Sequence, residues 1–134
     1  FGNWAREYRP IYTPAEAGLS RLVDLSKPDF IGRAAVIADR EHAPNRRLVT
    51  LVVDAHDADA IGDEPVWHKN QVVGWVTSGG FGHCVNRSIA LAYIPASLAE
   101  HIDGFEVEIL GERRPARRAA QALYDPSGQR MRGS

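Results

Sequence analysis

The sequence predicts a mainly β protein in which a short α-containing segment leads into six short strands that close into a small barrel or pack as a sandwich. Two observations carry this. The hydrophobic period switches near Arg46: before it apolar residues recur at three-and-four spacing, and after it come short apolar and β-branched runs. Those runs are separated by turn residues about every ten positions, the rhythm of a small all-β fold that leaves few exposed strand edges. A length of 134 residues suits one core, and 44% apolar with 25% charged residues is an ordinary balance for a packed, water-soluble protein with no membrane span.

Taken in order, residues 1–14 open with the rings of Phe1, Trp4, Tyr8 and Tyr12, which need a surface to cover them. With no initiator methionine, the expectation is a fragment whose start was cut inside a longer structure. Pro14 at a first helical position and Gly18 as a stop allow one or two turns of helix. Residues 19–25 read as strand or extended connector. Asp29 then precedes a helix over residues 30–40, with Phe30, Ala34, Ile37 and Ala38 on one face and the aspartate placed to cap it. Pro44 ends that helix, and the expected division is a tail of the preceding subdomain at 1–43 and a barrel domain at 44–134.

The strands are expected at 48–53, 64–68, 72–77, 88–93, 105–110 and 114–123, with Lys69-Asn70-Gln71 as a tight hairpin turn between the second and third. Thr77-Ser78-Gly79-Gly80-Phe81-Gly82 reads as a strand ending in a glycine turn.

Charge and composition then exclude several functions. A net charge of −1 gives no global basic field, so nucleic acid is not the expected partner, although Arg113, Arg114, Arg117, Arg118, Arg130 and Arg132 form a local excess. The single cysteine, Cys84, rules out an intrachain disulfide, and no charged-then-apolar leader opens the chain; both point to the cytoplasm. The histidines lack metal-ligand spacing, and His83 beside Cys84 places adjacent side chains on opposite strand faces, so no metal is expected. Ser78 and Cys84 lack an orienting partner in sequence, and the glycine run lacks the lysine and helix start of a phosphate loop. The acidic stretch 57–64 lacks the sixth-place glycine and twelfth-place glutamate of a calcium loop. An arginine aimed into a cleft beside Trp67 or Tyr124 would hold an anionic ligand tail, because its planar fork suits a carboxylate.

Several stretches, in one order, resemble a known family: Phe1-Gly2-Asn3-Trp4-Ala5-Arg6-Glu7-Tyr8, Thr13-Pro14-Ala15-Glu16-Ala17-Gly18-Leu19, Lys27-Pro28-Asp29-Phe30-Ile31-Gly32-Arg33, Gly62-Asp63-Glu64-Pro65-Val66-Trp67, Gly74-Trp75-Val76-Thr77-Ser78-Gly79-Gly80, Arg87-Ser88-Ile89-Ala90 and Tyr124-Asp125-Pro126. Together they are similar to the C-terminal portion of the glycine cleavage T-protein (aminomethyltransferase) family, closest to its dimethylglycine and sarcosine dehydrogenase and oxidase branch. The resemblance implies a six-stranded Greek-key or jelly-roll-like barrel that packs over a tetrahydrofolate site completed by the rest of the parent enzyme. It implies one-carbon transfer from glycine-derived, dimethylglycine or sarcosine-type donors, with the catalytic carboxylates before Phe1, FAD confined to a separate upstream domain, and no catalysis by this chain alone. It matches Arg130 to an arginine near the folate, with Arg132 as a rival, and makes His68 a second folate-side residue whose preferred alternative is an exposed hairpin histidine. Two other readings compete: a structural or docking barrel whose Arg113–Arg118 run meets an acidic partner, and a demethylase acting on a sulfonium or methoxy donor.

Overall fold

The computed structural model describes residues 2–133, the side chain of Met131 apart; Phe1, first of the aromatics singled out above, lies outside them. Six antiparallel strands form a closed barrel: β1 (Arg46–Val53), β2 (Pro65–His68), β3 (Gln71–Gly82), β4 (Arg87–Pro95), β5 (Phe105–Ile109) and β6 (Glu112–Arg118). Their order around the barrel is β1-β4-β3-β2-β5-β6, closed by pairing of β6 with β1. Three hairpin-linked strands, β2 to β4, with β1 laid beside β4 after a long crossover make the Greek key. The β2–β3 hairpin turns on Lys69 and Asn70, both at positive φ, as a two-residue turn that matches the strand twist.

Alternation decides which residues face inward. Val49, Leu51 and Val53 of β1 stand opposite Ala92, Ala90 and Ser88 of β4, and all are buried. With Val66, Val76, Phe105, Val107, Ile109 and Ala116 they fill the interior. A barrel of this size has no room left for a ligand once its inward side chains are packed, so any site lies on its outside or at its ends. One end is closed by the β1–β2 crossover, where Ala60 is buried and the Ser88 hydroxyl donates to Asp59 Oδ1 at 2.6 Å. The other is closed by the β4–β5 crossover, which contributes Ala99.

The outer face of β3 and β4 is covered by residues 2–18. Tyr93 points outward from β4, yet it is 0% exposed. Tyr12 stacks on it at 3.8 Å, and the Tyr93 hydroxyl donates to the Glu7 carbonyl at 2.8 Å. This strap is held in shape by a reciprocal cap: Glu16 N–H donates to Thr13 Oγ1, and Thr13 N–H to Glu16 Oε2, both at 3.2 Å. The Leu48 N–H of β1 donates to the Glu16 carbonyl at 2.9 Å, fastening the strap's end to the sheet.

Four sequence expectations are corrected. The helix α1 spans Arg33–Glu41, not residues 30–40: Gly32 at φ 88° is its N-cap, and Asp29 makes no capping bond. Of the two readings of residues 19–25, strand or extended connector, the strand is excluded: the stretch holds a 3-10 turn, Ser20–Leu22, followed by extended backbone at Val23. Ser78-Gly79-Gly80 is no turn; β3 runs on through it to Gly82, because Gly79 lies against the crossover, where a Cβ would come within 2.5 Å of the Ala60 carbonyl oxygen. β6 also stops at Arg118, short of the expected 123.

Candidate functional site

Beyond β6 the chain continues alongside β1, with Ala119 N–H donating to the Thr50 carbonyl at 2.8 Å, and reaches an exposed tail at Tyr124. There the backbone doubles back. Asp125 takes a left-handed conformation at φ 44°, and Gly128 N–H donates to its carbonyl at 2.9 Å. The short helix α2 (Gln129–Arg132) follows. This reversal returns Arg130 over Tyr124: its Nη1 donates to the phenol oxygen at 3.0 Å, and its guanidinium carbon stands 5.4 Å from the ring centroid. Arg132 is turned back onto the Ser127 carbonyl.

Both arginines border one open cleft of about 910 Å³, with Tyr124 in its wall and Arg21 on the facing segment. Arg21 belongs to the 3-10 turn Ser20–Leu22, and that turn is braced by α1: Arg40 Nη2 donates to the Ser20 and Val23 carbonyls at 3.0 and 3.1 Å. The cleft therefore presents Arg21, Arg130 and Arg132 around an aromatic ring. Arg130 spends one donor on Tyr124 and keeps the rest of its fork for an anion. Arg21 carried no signal in the sequence, since only the fold brings it across from the tail.

His68 sits elsewhere. It alternates in phase with Val66, so it faces into the barrel end and is 7% exposed, which overturns the exposed hairpin histidine. Its ring lies 5.1 Å from that of Phe105 and 5.6 Å from that of His101. Burial, then the Lys69 ammonium and His101, push its pKa down, favouring the neutral ring. Gly104, at φ 87°, passes so close that a Cβ would stand 3.4 Å from Nε2. Among the described residues, no hydrogen bond, ion pair or ring contact joins His68 to Arg130. His68 seals the barrel; Arg130 lines the cleft.

A second polar cluster fastens the strap. The Glu7 carboxylate accepts from Ser78 Oγ at 2.7 Å and from Asn3 N–H at 2.6 Å. Burial pushes the Glu7 pKa up, but hydrogen bonding with Thr77, Asn3 and Ser78 outweighs it and holds the group below the ordinary glutamate value. Ser78 reaches Glu7 because a β-bulge at Thr77 adds one residue to β3: Trp75 and Ser78, three apart, both point outward. Arg6 Nη1 donates to the Thr77 carbonyl at 3.2 Å, running so close over Gly62 that a Cβ there would meet it at 2.0 Å. Among the described residues, no group of three or more histidine, cysteine, aspartate or glutamate side chains is arranged to hold a metal ion.

Comparison with known proteins bears on this arrangement. Residues 46–125 match the model of the glycine cleavage T-protein C-terminal barrel domain. The chain is 42% identical over 117 residues to mitochondrial dimethylglycine dehydrogenase of Mus musculus, covering 87% of this chain but 14% of that protein. It is 45% identical over 105 residues to an aminomethyltransferase of Parasynechococcus marenigrum, covering 78% of this chain and 28% of that one. The crystal structure of glycine cleavage system aminomethyltransferase T from Bartonella henselae superposes with a TM-score of 0.75 over 87% of this chain and 33% of the other, and at 23% identity that likeness is one of fold. The chain thus spans a small part of the length of these relatives. It belongs to the glycine cleavage T-protein C-terminal barrel domain family.

Proposed function

We propose that this chain is the C-terminal part of a tetrahydrofolate-dependent enzyme that takes one-carbon units from an aminomethyl, dimethylglycine or sarcosine-type donor, and that the barrel closes the folate site without catalysing the transfer. The observation that carries this reading is the cleft in which Arg130 lies over Tyr124 between Arg21 and Arg132. Its donors suit the molecule's anionic end: free guanidinium N–H groups for the glutamate carboxylates and a ring edge for the adjoining aromatic portion. When bound, tetrahydrofolate supplies the nitrogens that accept the one-carbon unit. This chain's residues bind and orient its tail.

In this reading residues 1–43 are the last stretch of a preceding folate-binding subdomain, which with the rest of the parent enzyme supplies the catalytic carboxylates. His68 contributes by sealing the barrel end. Any FAD belongs to a separate upstream domain.

The docking alternative is the weaker reading, because intrachain ion pairs engage much of its arginine run. Arg114 is paired with Asp57 and Glu112 at 3.0 and 2.7 Å, and Arg117 with Asp103 at 2.6 Å. Arg113 lies 3.5 Å above the Trp67 ring and 3.9 Å from Glu106. Arg113, Arg114 and Arg117 thus each meet a carboxylate of their own chain, while Arg118 donates to the His101 and Ala119 carbonyls, so less of this charge is left for an acidic partner.

The test is calorimetric titration of tetrahydrofolate, under reducing conditions, into the full-length protein and its Arg130→Ala variant. A loss of affinity of about tenfold or more is expected of one charge-assisted contact. Unchanged affinity would move the folate site off this domain and restore the docking reading.

A further inference from the structure

Arg130 lies on an exposed terminal segment, where a long side chain on a mobile backbone would lose much of its binding energy to ordering. The segment is not left to itself. Asp125 Oδ1 accepts from Gln129 N–H at 2.9 Å and Asp125 Oδ2 from Arg130 N–H at 3.1 Å. Both carboxylate oxygens are therefore used on consecutive backbone amides, one of them that of Arg130 itself. The carbonyl of the same residue accepts from Gly128 N–H at 2.9 Å. Asp125 thus closes the reversal from three directions, and its left-handed φ, which aspartate tolerates better than bulkier residues, makes the reversal possible. Tyr124, whose phenol oxygen accepts from Arg130, immediately precedes it. One residue fixes both the ring and the guanidinium that borders the cleft.

We infer that Asp125 is a positioning residue that presents Arg130 to the anionic end of the ligand, touching no ligand itself. The inference rests on the proposed folate reading of the cleft and deepens it. A carboxylate beside an anion-binding arginine would otherwise weaken the site by competing for the fork. Here its oxygens are turned to backbone N–H groups and leave the guanidinium to Tyr124 and the ligand.

The experiment is a double-mutant cycle on tetrahydrofolate affinity in the full-length protein, with Asp125→Ala, Arg130→Ala and both together, and with Asp125→Asn as the conservative variant. If Asp125 acts through Arg130, Asp125→Ala weakens binding nearly as much as Arg130→Ala, about tenfold or more, and the double variant is no weaker than Arg130→Ala alone. Asp125→Asn keeps one acceptor oxygen and recovers part of the loss. A merely structural role would instead give losses that multiply in the double variant, and that outcome overturns the inference. So would wild-type affinity in Asp125→Ala alongside a weakened Arg130→Ala, which leaves the folate reading standing. Wild-type affinity in Arg130→Ala fails the folate reading itself, so the two failures are distinguishable. The thermal midpoint of each variant identifies any that does not fold. For Asp125→Ala, backbone amide exchange at Gln129 and Arg130 gives a ligand-free readout: both speed up if the carboxylate holds them, and unchanged rates overturn the inference.

Discussion

Glu7, 1% exposed, and Tyr93, 0% exposed, are the residues on which the strap depends, because each places a polar group where water does not reach. Burial, then Tyr12 and the nearby carboxylates, push the Tyr93 hydroxyl's pKa up, so it stays a donor to the Glu7 carbonyl. Tyr93→Phe keeps the ring stacked on Tyr12 but orphans that carbonyl, and should cost about 1–3 kcal/mol in urea unfolding; a change within a few tenths would mean water takes the hydroxyl's place. His68 gives a pH dependence of definite sign. Its folded pKa is depressed below the unfolded 6.5, so its contribution is fully present above that value and falls away as pH drops through the window beneath it. Unfolding midpoints measured from pH 7.5 to 5 should decline in the native chain and decline less in His68→Leu. Equal slopes would assign the acid sensitivity to other groups.

At the scale of elements, β3 shows what was legible and what was not. The β2–β3 turn was readable because Lys69-Asn70 sits between alternating runs and Asn tolerates positive φ. The run Ser78-Gly79-Gly80 was misread because glycine marks both turns and close approaches, and only the crossover beneath it, supplying Ala60, tells the two apart. The Thr77 bulge leaves no mark in composition either, though it sends Ser78 to Glu7. The α1 boundary slipped for a similar reason: Asp29 looked like a cap, but Gly32 in a left-handed conformation starts the helix three residues later than expected. Arg130 was singled out through the resemblance alone, and Arg21, which borders the same cleft, carried no signal. Gly79→Ala tests the crowding directly. Its methyl would press on backbone, which yields less readily than a side-chain end, so a loss of about 1–3 kcal/mol is expected from the denaturation midpoint. A neutral result would show that the crossover moves away at little cost.

For the whole molecule, the distribution of burial divides the chain into parts of unequal stability. The barrel has no free sheet edge, and residues 2–18 are fixed to it through Glu7, Tyr12 and Glu16. The 3-10 turn Ser20–Leu22 and helix α1 contain no buried residue; Leu22 within the turn and Ile31 just ahead of the helix stand exposed. Segments with few buried apolar contacts open at low free energy, whereas strands paired on both sides open only with the global transition. Brief trypsin treatment of the chain should therefore cut first at Arg21, Arg33 or Arg40, or in the exposed tail at Arg130 or Arg132, and leave the arginines inside β1 and β6 intact; Lys27, followed by Pro28, is no trypsin site. Mass spectrometry of the early products reads this directly. The strap then supplies a second readout. A cut at Arg21 severs it from the barrel in sequence while its buried contacts remain, so residues 2–21 should stay bound until mild denaturant releases them. Release should lower the barrel's own midpoint, because Tyr93 then meets water across a ring it is built to keep dry. First cuts within the strands, or simultaneous loss of every site, would place residues 19–43 in the same cooperative unit as the barrel and contradict the division that burial implies.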